Sequence, residues 1–389
     1  MSNLQLSVVH VVLTLDGGGL ERVVIDLVRE ASGIGQKASV LCIEKPGILA
    51  TQAEAAGASL HCAKKGPGLR WEAVDSVRSI FREIRPDVVH THQIQALFYL
   101  LPISRRWMPI LVHTEHNNQF RRYRTIREKL TYFSMLLAAG SRADRIFGVS
   151  EDATQSIMHT HAIQPQKLFT VPNGINFARF QKRHRNPGLR QSLGIPLDSF
   201  VFGSIGRLTE MKRPDILVSA FDKLSLELPT SHLLIVGDGP MMPDLRKQAA
   251  ASKAADRIHF AGFQPDPELY LGLLDVFVMT SRMEGMPLAI LEAAASGTPV
   301  IASKVGGVGE VSNNGRSVYL YDYNDMDALL VGLRRLAFEV EFREQIAQSG
   351  REHMLARYSS ERMARDYQAH YEELNQACGL EKHHAAGMY

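Results

Sequence analysis

The side chains best suited to chemistry lie in one stretch, EGMPLAILEAAASGTPV, which spans residues 284–300. Its two glutamates, Glu284 and Glu292, stand on either side of the predicted start of a helix. Pro287 suits the first helical position, because proline has no N–H to lose and a preset φ. The free N–H groups of a helix N-terminus bind anions. One acid for a sugar, N–H groups for a phosphate and one acid for a ribose together predict a nucleotide-sugar site.

The first turn of this helix supplies the predicted phosphate contacts. After Gly285, the N–H groups of Met286, Leu288 and Ala289 should point out of the helix N-terminus. Glu292 follows about one helical turn later, among leucine, isoleucine and alanine and without a nearby Lys or Arg. A carboxylate in such surroundings is costly unless it is hydrogen-bonded, and the cis-diol of a ribose would supply those bonds.

A cationic pair, Arg207 and Lys212, follows the first predicted strand of the second half of the chain. The spacing lets a guanidinium and an ammonium converge on one diphosphate, with Arg suited to a bidentate contact and Lys to a point charge. The alternative is two solvated charges in a loop. The glutamate helix farther along the chain favours the diphosphate interpretation.

No metal site is predicted. Asp325-Met326-Asp327 has the D-x-D spacing of a metal motif but opens a predicted helix, so helix capping explains it. Zinc is the alternative suggested by His90, His92 and Glu115, but these residues lie on successive strands without ligand spacing. With a cationic pair and helix N–H groups to balance the diphosphate charge, we expect no Mg²⁺ requirement and no cofactor.

Composition limits the class of protein. The 389 residues suit two domains, and 45% hydrophobic with 22% charged residues is ordinary for a soluble globular protein. A net charge of +3 predicts no nucleic-acid partner. The three cysteines lack metal-ligand spacing and indicate reduced thiols in the cytoplasm. No apolar run is long enough to span a membrane, and the N-terminus lacks the basic region of a signal peptide.

Short apolar runs alternate with helical patterns throughout, which predicts two doubly wound parallel sheets in an α/β protein. The predicted strands lie near Val8–Leu13, Ala38–Ile43, Val88–His90, Ile110–His113, Ile146–Val149, Leu168–Val171, Phe200–Ile205, His232–Val236, Ile258–Phe260, Val276–Thr280, Pro299–Ser303 and Ser317–Leu320.

The polar, basic stretch 181–188 is the predicted linker. The first domain should cover residues 1–185, completed by a helix at 359–377, and the second should cover 190–358, with a disordered tail at 381–389. Because ligands of open α/β sheets bind beyond the carboxyl ends of the strands, two facing domains would place the site in their cleft.

The glutamate block resembles the E-x7-E motif of the retaining glycosyltransferases with the GT-B fold, family 4. The resemblance covers most of the chain, since further motifs appear in the family's order: a glycine triplet at 17–19, VPNGI at 171–175, GRLTEMK at 206–212, IVGDGP at 235–240 and FAGF at 260–263. It implies two Rossmann-like domains, with a C-terminal helix that crosses back to the first. It also implies transfer of a sugar from a UDP- or GDP-sugar to a hydroxyl acceptor, with retention of the anomeric configuration.

The resemblance assigns roles to the candidate catalytic residues. Arg207 and Lys212 would neutralise the leaving diphosphate, Glu284 would hold the sugar hydroxyls, and His116 would bind a hydroxyl or steady charge at the anomeric carbon. His113, in the same HTEH run, should be packed. Because no side chain is placed as a nucleophile, the family's front-face displacement is implied, in which the leaving phosphate takes the acceptor's proton. The expected donor-binding residues are Gly18, Gly19, Gly206, Gly237, Asp238, Phe263, Gly285, Met286, Pro287, Leu288 and Glu292.

A basic and aromatic group in the first domain bears on the acceptor. It comprises Arg105, Arg106, Trp107, the run Arg121–Arg124, Arg127 and Lys129. Many relatives use lipid-linked acceptors, and such a group would suit peripheral contact with the cytoplasmic membrane face. A solvated helix face or a phosphate-bearing acceptor explains it equally. The family's habits point to surface polysaccharide or glycolipid synthesis.

Three other activities are alternatives to sugar transfer. GT-B nucleotide-sugar epimerases share the scaffold, and a silent nucleotide-sugar binder would keep the fold without turnover. A nicotinamide dehydrogenase is disfavoured, because the G-x-G-x-x-G spacing is absent after the first strand. Release of nucleoside diphosphate in the presence of acceptor separates a transferase from the epimerase and the binder.

Overall fold

The structure is a computed structural model that describes residues 5–68, 70–116, 125–180 and 186–386, with side chains up to residue 379. The predicted basic run Arg121–Arg124 and most of the predicted linker, residues 181–185, lie outside the described residues. So do the side chains of the predicted tail, residues 381–389.

The first sheet is parallel and has the strand order β3-β2-β1-β4-β5-β6-β7 among the described residues. Alternate residues of β2 enter different apolar clusters: Val40 and Cys42 pack in one, and Leu41 and Ile43 pack in another. The strand is therefore buried on both faces, as its continuous apolar sequence predicts. The strands are β1 Leu6–Thr14, β2 Gln36–Lys45, β3 Ser59–Cys62, β4 Val88–Thr91, β5 Ile110–Glu115, β6 Arg145–Gly148 and β7 Leu168–Thr170.

The second sheet is also parallel, with the order β10-β9-β8-β11-β12-β13 among the described residues. Phe202 of the central strand β8 packs against Phe221, which lies in the helix after this strand. The strands are β8 Phe200–Ile205, β9 Ser231–Val236, β10 Ile258–Gly262, β11 Val276–Met279, β12 Val300–Ser303 and β13 Tyr319–Tyr321.

Helices connect the strands, as the right-handed crossovers of parallel sheets require. In the first half the α-helices are α1 Gly19–Ala31, α2 Ala50–Ala55, α3 Glu72–Ile84, α4 Ile94–Phe98, α5 Ile126–Arg142 and α6 Glu151–Met158. In the second half they are α7 Pro187–Ser192, α8 Pro214–Leu224, α9 Met242–Ala250, α10 Pro267–Leu271, α11 Leu288–Ala295, α12 Val308–Val311, α13 Met326–Phe338, α14 Val340–Arg357 and α15 Ser360–Ala386. Among the described residues, none of these helices combines the length and the hydropathy that crossing a bilayer requires.

The chain divides into two compact units. The first comprises Met1–Gly174 together with Ser360–Tyr389, and the second comprises Ile175–Ser359. The last helix, α15, therefore belongs to the first unit, as the predicted fold class requires. Two of its buried tyrosines bond the sheet: the Tyr367 hydroxyl lies 3.0 Å from Thr114 Oγ1, and the Tyr371 hydroxyl bonds His90 Nδ1.

Candidate functional site

Lys212 and Glu284, predicted to act on the same substrate, are in direct contact. Lys212 Nζ donates to both carboxylate oxygens of Glu284, at 2.6 and 2.8 Å. The Glu284 side chain is only 7% exposed, whereas that of Lys212 is 35% exposed. The ammonium therefore neutralises a buried carboxylate, while the Lys212 side chain remains partly open to solvent.

Backbone contacts hold the loop that carries Lys212. Thr280 Oγ1 donates to the carbonyls of Lys212 and Arg213, at 3.2 and 2.7 Å. The Arg282 N–H donates to the Met211 carbonyl at 2.7 Å. Arg213 adopts the left-handed conformation, with a φ of 49°. The segment after β11 thus fixes the loop after β8, and this brings Lys212 to Glu284.

Arg207 lies at the start of the same loop and is exposed. Its guanidinium makes no hydrogen bond or ion pair with any other residue that the structure describes. A cation one short loop away from Lys212, with no partner among the described residues, is available for an anionic ligand. This is the arrangement that the predicted diphosphate contact requires.

The turn after β9 packs tightly against the turn after β8. Gly237 has a φ of 134°, and a Cβ built there would lie 1.9 Å from the Gly206 carbonyl oxygen. The N–H of Gly237 donates to the carbonyl of Gly262, the last residue of β10, at 2.7 Å, so the turn after β9 is also tied to the end of β10. Two candidate side chains of these turns are exposed: Asp238, whose carboxylate accepts from the Gly239 N–H at 2.7 Å, and Phe263. Glycine at 237 is therefore required by close backbone approach.

Helix α11, which contains Glu292, begins at Leu288, so the prediction that Pro287 occupies its first position is wrong. Pro287 is the N-cap, with a ψ of 110° that is extended and not helical. Gly297, with a φ of 80°, follows the end of the helix as expected for a left-handed stop. Glu292 is 6% exposed.

The other candidates at the start of this helix are also buried. Met286 and Leu288 are 5% and 7% exposed, and the Gly285 carbonyl accepts from the Gly307 N–H at 3.0 Å. The first N–H groups of a helix have no acceptor within it. Leu288 and Ala289 are the first two residues of this helix, so their N–H groups have no acceptor within it.

The glycine triplet of the first unit forms the start of α1. Gly18 is the N-cap and Gly19 is the first helical residue. A Cβ at Gly18 would lie 2.3 Å from Glu21 Oε2, so a larger residue would have to displace this buried carboxylate. Because this carboxylate is the end of a flexible side chain and can move aside, packing alone does not require glycine at position 18.

His116 ends a row of hydrogen-bonded imidazoles in the first unit. His10 Nδ1 lies 3.0 Å from His92 Nε2, and His92 Nδ1 lies 3.2 Å from His116 Nε2. His10 and His92 are each 1% exposed, and His116 is 8% exposed. Burial lowers the pKa of His116 to about 3 and that of His10 to about 4, and it lowers the pKa of His92 well below its usual value. All three rings are therefore neutral at pH 7.

Two more histidines are packed beside this row. His113 is fully buried with Nδ1 2.8 Å from Thr91 Oγ1, as its predicted packing requires. His90 bonds Thr114 through Nε2 at 2.7 Å and Tyr371 through Nδ1. His10, His90 and His92 each offer one ring nitrogen within 4.8 Å of the others, a spacing that a metal ion could use. Hydrogen bonding already accounts for these contacts, and the prediction of no metal stays a prediction.

The structure thus sorts the predicted residues by unit. Gly18, Gly19 and His116 belong to the first unit, and all other candidates belong to the second.

Asp325 caps α13, since its carboxylate accepts from the Ala328 N–H at 2.9 Å, which confirms the capping interpretation of its D-x-D spacing.

Sequence reasoning missed His10 as a neighbour of the site histidines. His10 on β1 is the register partner of His90 on β4. A signal existed, because doubly wound sheets commonly place the first and fourth strands side by side. A histidine inside one apolar strand, with an H-T-H run ending another, is the pattern that would have found the row.

Comparison with known proteins agrees with these features. Residues 186–353 match the family model described as glycosyl transferases group 1, and residues 17–179 match that described as glycosyltransferase family 4. An Escherichia coli protein named UDP-Gal:alpha-D-GlcNAc-diphosphoundecaprenol alpha-1,3-galactosyltransferase is 30% identical over 267 residues, which is 67% of this chain and 69% of that protein. A D-inositol 3-phosphate glycosyltransferase of Streptomyces bingchenggensis is 26% identical over 94% of this chain and 86% of its own length.

Solved structures share the fold. Anabaena HepE in complex with UDP and glucose has a TM-score of 0.83 at 19% identity and covers 95% of this chain and 100% of its own. Sucrose-phosphate synthase from Thermosynechococcus elongatus has a TM-score of 0.80 at 19% identity and covers 96% of this chain and 100% of its own. With two parallel sheets, the ordered motifs and both family models in agreement, the chain belongs to the GT-B glycosyltransferases of group 1 and family 4.

Proposed function

We propose that this protein transfers a sugar, with retention of configuration, from a UDP- or GDP-sugar to a hydroxyl acceptor, without a metal ion. The contact between Lys212 Nζ and the Glu284 carboxylate carries the proposal. It joins a cation suited to a diphosphate to an acid suited to sugar hydroxyls at one point of the second unit.

The leaving diphosphate would be balanced by three kinds of donor. Arg207 has no protein partner among the described residues, Lys212 keeps an exposed side, and Leu288 and Ala289 direct N–H groups out of α11. Preorganised donors of this kind stabilise charge that develops in a transition state, because they need no reorganisation when the bond breaks. We therefore propose that charge balance at the diphosphate needs no metal ion.

The remaining candidates would bind the rest of the donor. Glu284 would accept hydrogen bonds from the sugar hydroxyls, Glu292 would accept them from the ribose, and His116 would donate one to the transferred sugar. Since none of these groups is proposed as a covalent nucleophile, the leaving phosphate would accept the acceptor's proton as the new bond forms on the same face. An epimerase or a silent binder remains the alternative.

Two comparisons support a choice of substrates. The name of the Escherichia coli relative specifies UDP-Gal and a diphosphoundecaprenol-linked sugar, and HepE was solved with UDP and glucose. We therefore propose a UDP-sugar donor first and a lipid-linked acceptor, in surface polysaccharide or glycolipid synthesis. Peripheral membrane contact is also proposed, since α5 exposes Ile126 (78%) and Leu130 (62%) beside Arg127 and Lys129.

Arg207→Ala tests the proposed diphosphate site without disturbing the fold. Because the guanidinium has no partner to lose in the described part of the chain, we expect a change in unfolding free energy within about 0.5 kcal/mol. Charge-assisted hydrogen bonds contribute about 1.5–3 kcal/mol, so UDP binding should weaken by about 10- to 100-fold. Thermal unfolding with UDP, GDP, ADP and NAD measures this: a ligand at about 100 times its Kd adds about 2.7 kcal/mol to the wild type.

Arg316→Ala is the matched control. Arg316 is also exposed and belongs to the same unit. It precedes β13 and therefore lies at the opposite end of the parallel strands from the loop after β8, which carries Arg207 and Lys212. It should keep the full stabilisation by one nucleoside diphosphate. Equal loss in both variants, stabilisation by NAD alone, or none with any diphosphate would contradict the proposed site.

Product analysis separates the three functions. A transferase releases nucleoside diphosphate only when acceptor is present, an epimerase returns an intact sugar nucleotide, and a binder returns the substrate unchanged. The acceptor probe is a synthetic polyprenyl-diphosphate sugar, and transfer should be unchanged by EDTA. Loss of transfer in EDTA that Mg²⁺ restores would overturn metal independence but not the transferase assignment.

A further inference from the structure

The imidazole row of His10, His92 and His116 runs from the interior of the first unit towards its surface. The three residues come from β1, from the end of β4 and from the end of β5. The middle ring uses a different nitrogen towards each of its two neighbours: His92 faces His10 through Nε2 and His116 through Nδ1. Only His116, at 8% exposure, approaches solvent.

Hydrogen counting leaves two arrangements for such a row. A neutral imidazole has one N–H donor and one acceptor nitrogen, so each contact needs one of each. Either every ring donates towards His116, or every ring donates towards His10. In the first arrangement His116 carries its hydrogen on Nδ1, and in the second on Nε2. One choice at His10 therefore fixes all three tautomers.

The inner end of the row decides between them. His10 Nε2 is buried and has no hydrogen-bond partner among the residues that the structure describes. If the rings donated towards His10, this nitrogen would be a buried N–H without an acceptor. Among buried backbone groups, orphaned N–H donors are rarer than acceptors that lack a donor, and we apply the same preference to this ring nitrogen. The arrangement that leaves only a lone pair at His10 Nε2 is therefore favoured, and it directs the hydrogens outward.

We propose that His10 and His92 are positioning residues that hold His116 as its Nδ1–H tautomer, so that this ring offers a donor and not an acceptor to its ligand. The tautomer is a property of the free protein. Its consequence for transfer rests on the proposed function, in which His116 donates to a hydroxyl of the sugar. A ring with the opposite tautomer would present a lone pair there and lose that bond.

A bound metal is the competing account of the same histidines. It would need lone pairs from His10, His90 and His92 together. Both nitrogens of His90 are already hydrogen-bonded, to Thr114 and to Tyr371. The two nitrogens of His92 face His10 and His116. The directed row uses every described contact as it stands, whereas a metal would break several.

Nitrogen NMR of the histidine rings in the full-length protein tests the tautomer directly. His116 signals are assigned by their loss in His116→Gln. We expect Nδ1 at the shift of a protonated nitrogen and Nε2 at that of an unprotonated one. The reverse pattern, an averaged pair of shifts, or stoichiometric zinc bound through His10 and His90 would overturn the proposal.

Two substitutions at His10 separate direction from packing. His10→Asn keeps an amide N–H near the place of Nδ1 and should keep the His116 tautomer. His10→Leu removes the donor, so the His116 shifts should move towards averaged values. His113→Leu, which removes another fully buried imidazole from the same sheet, is the control and should leave them unchanged. If the leucine variants fail to fold, the wild-type and asparagine spectra still decide.

Steady-state transfer then tests the consequence. In His10→Leu, kcat should fall about 10-fold or more, less than the roughly 10⁴-fold cost of a wrong histidine tautomer in a protease triad. The KM for donor should change much less, and His10→Asn should restore the rate. A changed tautomer with unchanged kcat would overturn the positioning role. Absence of transfer in the wild type, with the expected tautomer present, would instead refute the proposed function.

Discussion

Lys212→Met should lower the rate of sugar transfer by about 10²- to 10³-fold, the usual cost of removing one preorganised group that stabilises a developing negative charge. It should also lower the free energy of unfolding, because Glu284 would keep a buried charge without the ammonium that contacts both of its oxygens. Breaking a fully buried pair costs about 3–5 kcal/mol. The partly exposed Lys212 reduces this to about 1–3 kcal/mol.

The double variant Lys212→Met, Glu284→Gln separates the two effects. Without the carboxylate, no buried charge is left unpaired, so urea unfolding should recover most of the stability lost in the single variant. Transfer should not recover, because both the diphosphate cation and the sugar-binding acid are gone. If activity returned together with stability, the pair would be a structural ion pair and its catalytic role would be refuted.

Gly237→Ala should destabilise the second unit by about 3 kcal/mol or more. A non-glycine residue in an unfavourable backbone region costs about 1–3 kcal/mol. In addition, the new Cβ would lie 1.9 Å from the Gly206 carbonyl oxygen, so the backbone itself would have to shift. Since Gly206 immediately precedes Arg207, the displacement should also weaken nucleotide binding. Urea unfolding and calorimetric titration with UDP measure both effects.

Gly309→Ala provides the matched control for this prediction. Gly309 lies in α12, has no positive φ, and a Cβ there would meet nothing within 4 Å. Alanine should therefore be neutral or should stabilise the protein by about 0.4–1 kcal/mol. If Gly237→Ala were as harmless as Gly309→Ala, the close approach of the turns after β8 and β9 would not constrain this position.

The sequence predicted well the parts of the fold that are buried on both faces. Phe200–Ile205 was located to the residue, and the other predicted runs all coincide with strands whose ends differ by a few residues. Such strands need continuous apolar sequence because helices cover both sides of the sheet. The strand β3, Ser59–Cys62, was missed because it is an edge strand with partly exposed residues, so its sequence has no apolar run.

The site was predictable in residue type but not in contact. The glutamates and the cationic loop could be recognised, yet nothing local says that Lys212 touches Glu284, 72 residues later. That contact depends on how the loop after β8 is held by Thr280 and Arg282. Similarly, the hydrogen-bond direction at His116 depends on a buried nitrogen of His10, which only the strand pairing brings within reach.

The ties between α15 and the first sheet have a consequence for biosynthesis. The tyrosine that bonds His90 lies 281 positions farther along the chain, and the tyrosine that bonds Thr114 lies 253 positions farther along. During translation, the N-terminal sheet emerges with these polar groups uncovered, and the whole second unit must be synthesised before α15 appears. The first unit therefore cannot complete its interior while the ribosome is still making the second. A chain that stops near residue 359 would lack both tyrosine partners and would remain a substrate for chaperones and proteases.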